Sequence, residues 1–71
     1  MSFRLGNRLR VARAEHALSQ EQLAGLAGVT RQTISSIETS QYCPSALLAF
    51  QLARVLGKRV DELFYLEGET T

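Results

Sequence analysis

Apolar residues recur along this chain at spacings of three and four, the period of helices with one buried face, and glycines and a proline punctuate them. Leu5, Leu9, Ala12 and His16 stand four, three and four apart and predict a first helix near residues 7–16. Ser19 followed by Gln22 is a capping-box pattern, which starts a second helix at about 20–27 with Leu23, Ala24 and Ala27 inward. Gly28 ends it, because glycine takes the left-handed geometry after a helix most easily. Thr30 can cap a third helix, about 31–39, with Ile34 and Ile37 inward. Pro44 and Ser45 open a fourth that runs to Leu56 and stops at Gly57, and a short fifth covers about 60–64. At the two ends the period changes to two. Phe3 and Leu5 alternate with Ser2 and Arg4, and Phe64 and Leu66 with Tyr65 and Glu67. The expected fold class is all-α, with five helices and a small two-stranded ribbon pairing the two ends, Arg4 near Glu67 and the apolar residues on the core.

Composition narrows the function classes. Seventy-one residues allow one small domain, 1–71. Hydrophobic residues at 45% and charged residues at 21% exclude a disordered chain. One cysteine, Cys43, and one histidine, His16, cannot build an internal disulfide or a four-ligand zinc site, and no cofactor is expected. No apolar run approaches the ~20 residues of a membrane span, and no secretory leader follows the first arginines, so the expected location is cytoplasmic. Ser19, Ser35 and Ser36 have no base placed to activate them, and catalysis is not expected. Cys43 reads as a packed thiol, and His16 as a surface residue meeting a helix dipole.

Charge is uneven along the chain. Residues 1–59 hold eight bases against three acids, a net +5, while residues 60–71 hold four acids and no base, −4. This suggests a polyanion partner for the basic body and an acidic tail kept away from it.

The most informative segment is QEQLAGLAGVTRQTISSIET, residues 20–39. Two helices packed nearly at right angles through a tight turn need a small residue at their contact, a glycine in the turn and branched apolar anchors on the second helix. Ala24, Gly28, and Val29 with Ile34 and Ile37 meet these needs in turn. The outward face of the second element, Arg31, Gln32, Thr33, Ser35 and Ser36, is polar and carries no acid, as a surface that reads base edges requires. A plain helical hairpin with a solvated face would explain each feature singly but not their combination.

Together with NRLRVAR, YCPSALLAFQLARVLG and VDELF, this segment resembles the Xre/Cro-type, lambda-repressor-like DNA-binding domains, especially short single-domain members, over nearly the whole chain. The resemblance implies that helix 3 lies in the major groove of double-stranded DNA, with Arg31, Gln32, Thr33 and Ser36 toward bases. It implies that Gln20 holds a phosphate and that the loop Thr39–Tyr42, including Gln41 and Tyr42, follows the DNA backbone. Ser19, Thr30 and Ser35 border these positions and complete the expected DNA-facing set. A structural pair between Arg13 and Glu38 is also implied. The chain departs from the family pattern at Ala17 and Ser40, where glycine is usual. It departs again at Gln41 and Cys43, where a base and an asparagine are frequent, and at Leu47, where an acid is frequent.

Ala46 to Phe50 are apolar at consecutive positions, so helix 4 should be covered on more than one side. Leu47, Phe50, Val60, Leu63, Phe64 and Leu66 offer more apolar surface than one short chain can cover, and a homodimer through them is the expectation. The combined reading is a transcriptional regulator, most simply a repressor on a pseudo-palindromic operator, with no small-molecule ligand. The alternative is a protein-binding module such as the antitoxin of a toxin pair, which a long disordered tail would mark. A purely structural helical protein has no feature in its favour.

Overall fold

The computed structural model describes residues 3–68. The order is β1 (Phe3–Asn7), α1 (Leu9–Glu15), α2 (Gln20–Ala27), α3 (Arg31–Glu38), α4 (Ala46–Val55), α5 (Val60–Leu63) and β2 (Phe64–Gly68). The five helices and the ribbon match the sequence expectation. Ser2, at the start of the expected first strand, and Glu69, in the acidic tail, lie outside the described residues.

Helices α2, α3 and α4 each start at a local side-chain cap. The Ser19 hydroxyl accepts from the Gln22 amide at 3.0 Å while the Gln22 side chain accepts from the Ser19 amide at 2.8 Å. The Thr30 hydroxyl accepts from Thr33 N at 3.2 Å, and that of Ser45 from Leu48 N at 3.1 Å. Gly28 and Gly57 end α2 and α4 at φ 73° and 65°. The first helix is shorter than 7–16, because Asn7 pairs with Phe64 in the ribbon. The fifth stops at Leu63, because Phe64 enters β2.

Leu9 and Ala12 of α1, Leu23, Ala24 and Ala27 of α2, and Ile34 and Ile37 of α3 form a core with Leu48, Ala49, Leu52 and Ala53 of α4. Leu56, Leu63 and Phe64 complete it. Two members of the expected α1 stripe are elsewhere. Leu5 is on β1, and His16 is exposed. The His16 ring instead reaches the end of another helix. Its Nε2 lies 2.7 Å from the Leu56 carbonyl oxygen, which can only accept, so Nε2 carries the proton.

The ribbon is antiparallel, with Phe3 opposite Gly68, Arg4 opposite Glu67, Leu5 opposite Leu66 and Gly6 opposite Tyr65. Arg4 Nε donates to Glu67 Oε1 at 2.9 Å, as the pairing predicts. The expected apolar backing extends only part of the way. Phe64 is buried and Leu5 half-buried, whereas Phe3 and Leu66 are exposed, since an open cleft separates them from the Ser40–Cys43 loop. Gly6 is buried beneath the Tyr65 ring. A Cβ there would collide with Tyr65 Cε2 and lie 2.7 Å from Cζ, and the Arg8 guanidinium sits 4.5 Å from the same ring's centroid.

Two residues of the acidic end are paired with bases of the chain. Glu67 pairs with Arg4, and Asp61 with Arg59 at 3.2 Å. Among the described residues, Arg8, Arg31 and Arg54 make no ion pair. No helix among them is long and apolar enough to cross a membrane.

Candidate nucleic-acid interface

The α2–turn–α3 unit is built from small local decisions. Ala24 is buried on the packed side of α2, and Gly28 turns the chain in the left-handed region. The Val29 amide closes the turn on the Ala24 carbonyl at 3.0 Å. With Val29 half-buried and Ile34 and Ile37 fully inside, α3 has one orientation available. Its opposite face is thereby turned to solvent, with Arg31 and Gln32 exposed and Thr33, Ser35 and Ser36 half-buried. The Gln32 amide donates along the helix to Ser36 Oγ at 3.3 Å, and the Thr30 and Thr33 hydroxyls are 3.0 Å apart.

The one acid on α3, Glu38, turns the other way, and its side chain is fully buried. Arg13 Nε donates to Oε2 at 2.8 Å and Nη2 to Oε1 at 3.3 Å, while Arg13 Nη1 also holds the Leu18 carbonyl at 2.9 Å. Arg10 Nε lies 3.6 Å from Oε1. The expected Arg13–Glu38 pair is therefore present and ties α1 to α3. Burial is the largest single influence on this carboxyl and pushes its pKa up. The hydrogen bonds from Arg13 and Gln20, the charge of Arg13 and the bond from Arg10 together outweigh it, so the group stays below the ordinary carboxylate range.

The network continues outward. Gln20 Nε2 donates to Glu38 Oε1 at 3.0 Å, and Arg31 Nη1 donates to Gln20 Oε1 at 3.3 Å. A chain of hydrogen bonds thus runs from the interior to the first residue of the exposed α3 face. Ser19 and Gln20 sit at the start of α2, Ser19 exposed and Gln20 half-buried.

Beyond α3, Thr39, Gln41 and Tyr42 are exposed. The Ser36 carbonyl accepts from the Gln41 and Tyr42 amides at 2.8 and 3.1 Å, strapping the loop back onto the helix. Ser40 makes that turn at φ 61°, and Ala17 makes the turn after α1 at φ 54°. Both departures from glycine keep the left-handed geometry. Asn7 was not among the expected site residues. Its Nδ2 donates to the Ile37 carbonyl at 2.9 Å and its Oδ1 accepts from Leu9 N at 3.1 Å, bracing the end of α3 from the ribbon. An asparagine at the start of the expected first helix was the one available signal. Its second partner, thirty residues away, was not legible in the sequence.

Two further expectations are corrected. Leu63 and Phe64, assigned to a subunit interface, are 0% and 6% exposed within a single chain and belong to its own core. The 3.6-residue period turns Leu63 inward, and Phe64 begins the strand at the point where the ribbon leaves the bundle. Leu47, Phe50 and Leu66 remain exposed, and Val60 is half-buried. Cys43, expected to be packed, is exposed, with its Sγ 3.8 Å from the Pro44 carbonyl oxygen. Pro44 is the buried residue of that pair.

This arrangement of two helices about a tight glycine turn, with a polar outer face, defines a helix-turn-helix domain. A helix-turn-helix family model matches residues 9–63, and the chain belongs to that family, the Xre/Cro-type DNA-binding transcriptional regulators, which are not enzymes. It is 44% identical over 63 residues to an uncharacterized HTH-type transcriptional regulator of Methanocaldococcus jannaschii, covering 89% of this chain and 96% of that one. A second such regulator, YgzD of Bacillus subtilis, is 40% identical over the same shares. Among solved structures, the restriction-modification controller protein C.AhdI of Aeromonas hydrophila superposes with a TM-score of 0.73 at 36% identity, covering 78% of this chain and 83% of that one.

Proposed function

We propose that this regulator is a homodimeric repressor that reads a pseudo-palindromic operator, with one α3 in each of two successive major grooves. The observation that carries the reading is the exposed face of α3. It is rich in hydrogen-bonding groups and free of acid, because the helix's only carboxylate is buried in the Arg13 pair. Base contacts concentrate in the first turn of a recognition helix, and that turn holds Arg31 and Gln32. A glutamine amide matches the donor and acceptor of adenine, and a guanidinium matches the two acceptors of guanine. Thr33, Ser35 and Ser36 complete the groove face. Ser19, Gln20 and Thr30 flank it toward one backbone, and Thr39, Gln41 and Tyr42 toward the other. A two-fold dimer sets the two α3 helices ~34 Å apart, one turn of DNA, and a protein seated there excludes polymerase sterically. Leu47, Phe50, Val60 and Leu66 form the apolar surface for the second copy.

Selection of bound sites from random DNA tests the reading. The expected operator is two inverted half-sites. Gln32→Ala loses roughly 1–3 kcal/mol and relaxes preference at one base pair per half-site. Arg31→Ala relaxes another. If neither substitution alters binding to the selected operator, α3 is not the reading element.

A further inference from the structure

We infer that Glu38 acts as a positioning residue for base reading: it fixes which way round the Gln20 amide sits, and the amide in turn aims Arg31. The inference rests on the proposed role of Arg31 at the bases and adds a residue that itself faces the interior.

An ionised carboxylate can only accept hydrogen bonds, a guanidinium can only donate them, and a glutamine amide does each at opposite ends. Gln20 lies between the other two. Its Nε2 is 3.0 Å from Glu38 Oε1, so the amino end faces inward. Its Oε1 is then left facing Arg31 Nη1, 3.3 Å away. Turned the other way, the amide would set its carbonyl against the carboxylate and its amino group against the guanidinium, and both contacts would become repulsive. Glu38 cannot yield, since Arg13 grips both of its oxygens and its side chain is fully buried. The polarity of the whole chain is therefore set in the core. An exposed arginine is otherwise free to sample many rotamers, and holding it before DNA arrives lowers the ordering cost of binding. The second amide hydrogen of Gln20 remains available to a phosphate.

The test compares base preference on the selected operator, by competition between sites changed one base pair at a time. It uses the wild type, Arg31→Ala, Gln20→Met, Glu38→Gln and the Gln20→Met/Glu38→Gln double variant. Arg31→Ala marks the base pair that Arg31 reads. Gln20→Met, close in shape and leaving the Arg13–Glu38 pair intact, is expected to lower preference at that base pair roughly tenfold. Preference at the Gln32 base pair should stay. Glu38→Gln removes the fixed polarity and should produce the same selective loss, and the double variant should lose no more than Gln20→Met alone. The proposal is overturned if Gln20→Met keeps the Arg31 preference, if Glu38→Gln affects both base pairs equally, or if the two losses add. Should Arg31→Ala change no preference, the reading of α3 by Arg31 fails and the relay fails with it. Should Glu38→Gln fail to fold, Glu38→Asp, which keeps the charge beside Arg13 but shortens the reach to Gln20, replaces it with the same expected and overturning outcomes.

Discussion

Glu38 of α3 joins α1 and α2 at one carboxylate, through Arg13 and Gln20. Its side chain is fully buried and joined to Arg13, Gln20 and Arg10, which hold its pKa below the ordinary value of 4.5 against the opposing push of burial. A carboxyl with a depressed pKa in the folded state contributes stability at every pH above its unfolded value. That contribution is lost as the pH falls below about 4.5 and through the lower folded value. Glu38→Gln should therefore cost about 3 kcal/mol near neutrality, where it strands the Arg13 charge. It should also flatten the acid limb of the stability profile. Urea unfolding at a series of pH values checks this, and equal acid slopes for the two proteins would count against it.

Among the elements, the turns carry strain and the helices do not. Ala17 and Ser40 occupy left-handed backbone at φ 54° and 61°, where a Cβ costs roughly 1–2 kcal/mol. The geometry is kept because the chain on the far side of each turn is already held by hydrogen bonds. After α1, Leu18 N returns to the Arg13 carbonyl at 3.1 Å, and after α3 the loop amides return to Ser36. Ala17→Gly and Ser40→Gly should each stabilise the domain, by about 1 kcal/mol less the larger entropy that glycine loses on folding. Chemical denaturation with unchanged slope is the measurement, and no gain at either position would mean that the strain is relieved elsewhere.

At the scale of the molecule, one side of α4 is left uncovered among the described residues. Leu47 and Phe50 are 69% and 63% exposed although Leu48, Ala49, Leu52 and Ala53 on the same helix are buried. Beside Phe50 lies an apolar groove of about 730 Å³ that reaches Val60 and Leu66. Phe50→Glu should leave the folded chain within ~0.5 kcal/mol of its stability, since the residue packs on nothing essential to the core. It should nevertheless abolish the proposed dimer, read by sedimentation at micromolar concentration, and weaken binding to the full operator. Wild-type protein that sediments as a monomer and binds the operator with undiminished affinity would remove the dimer from the reading.

The sequence by itself determined most of what depends on neighbours within a few residues. The caps at Ser19, Thr30 and Ser45, the stops at Gly28 and Gly57, and the inward positions of α2 and α3 follow from helical period and local hydrogen bonding. So does the acid-free face of α3. The ribbon with its Arg4–Glu67 pair was legible too, because alternation at both ends lets the two stretches pair antiparallel with their apolar residues on one face. Only the tertiary structure decided the features in which distant parts of the chain meet. It took Leu63 and Phe64 for the core, left Phe3, Leu66 and Cys43 in solvent, and sent His16 to the end of α4. It also brought Asn7 to Ile37 and joined Gln20 to Glu38, contacts separated by 30 and 18 positions. Periodicity assigns a face to a residue. Packing alone determines which partner occupies that face, because a hydrogen bond or a buried contact is fixed by distance in space, which spacing along the chain does not encode.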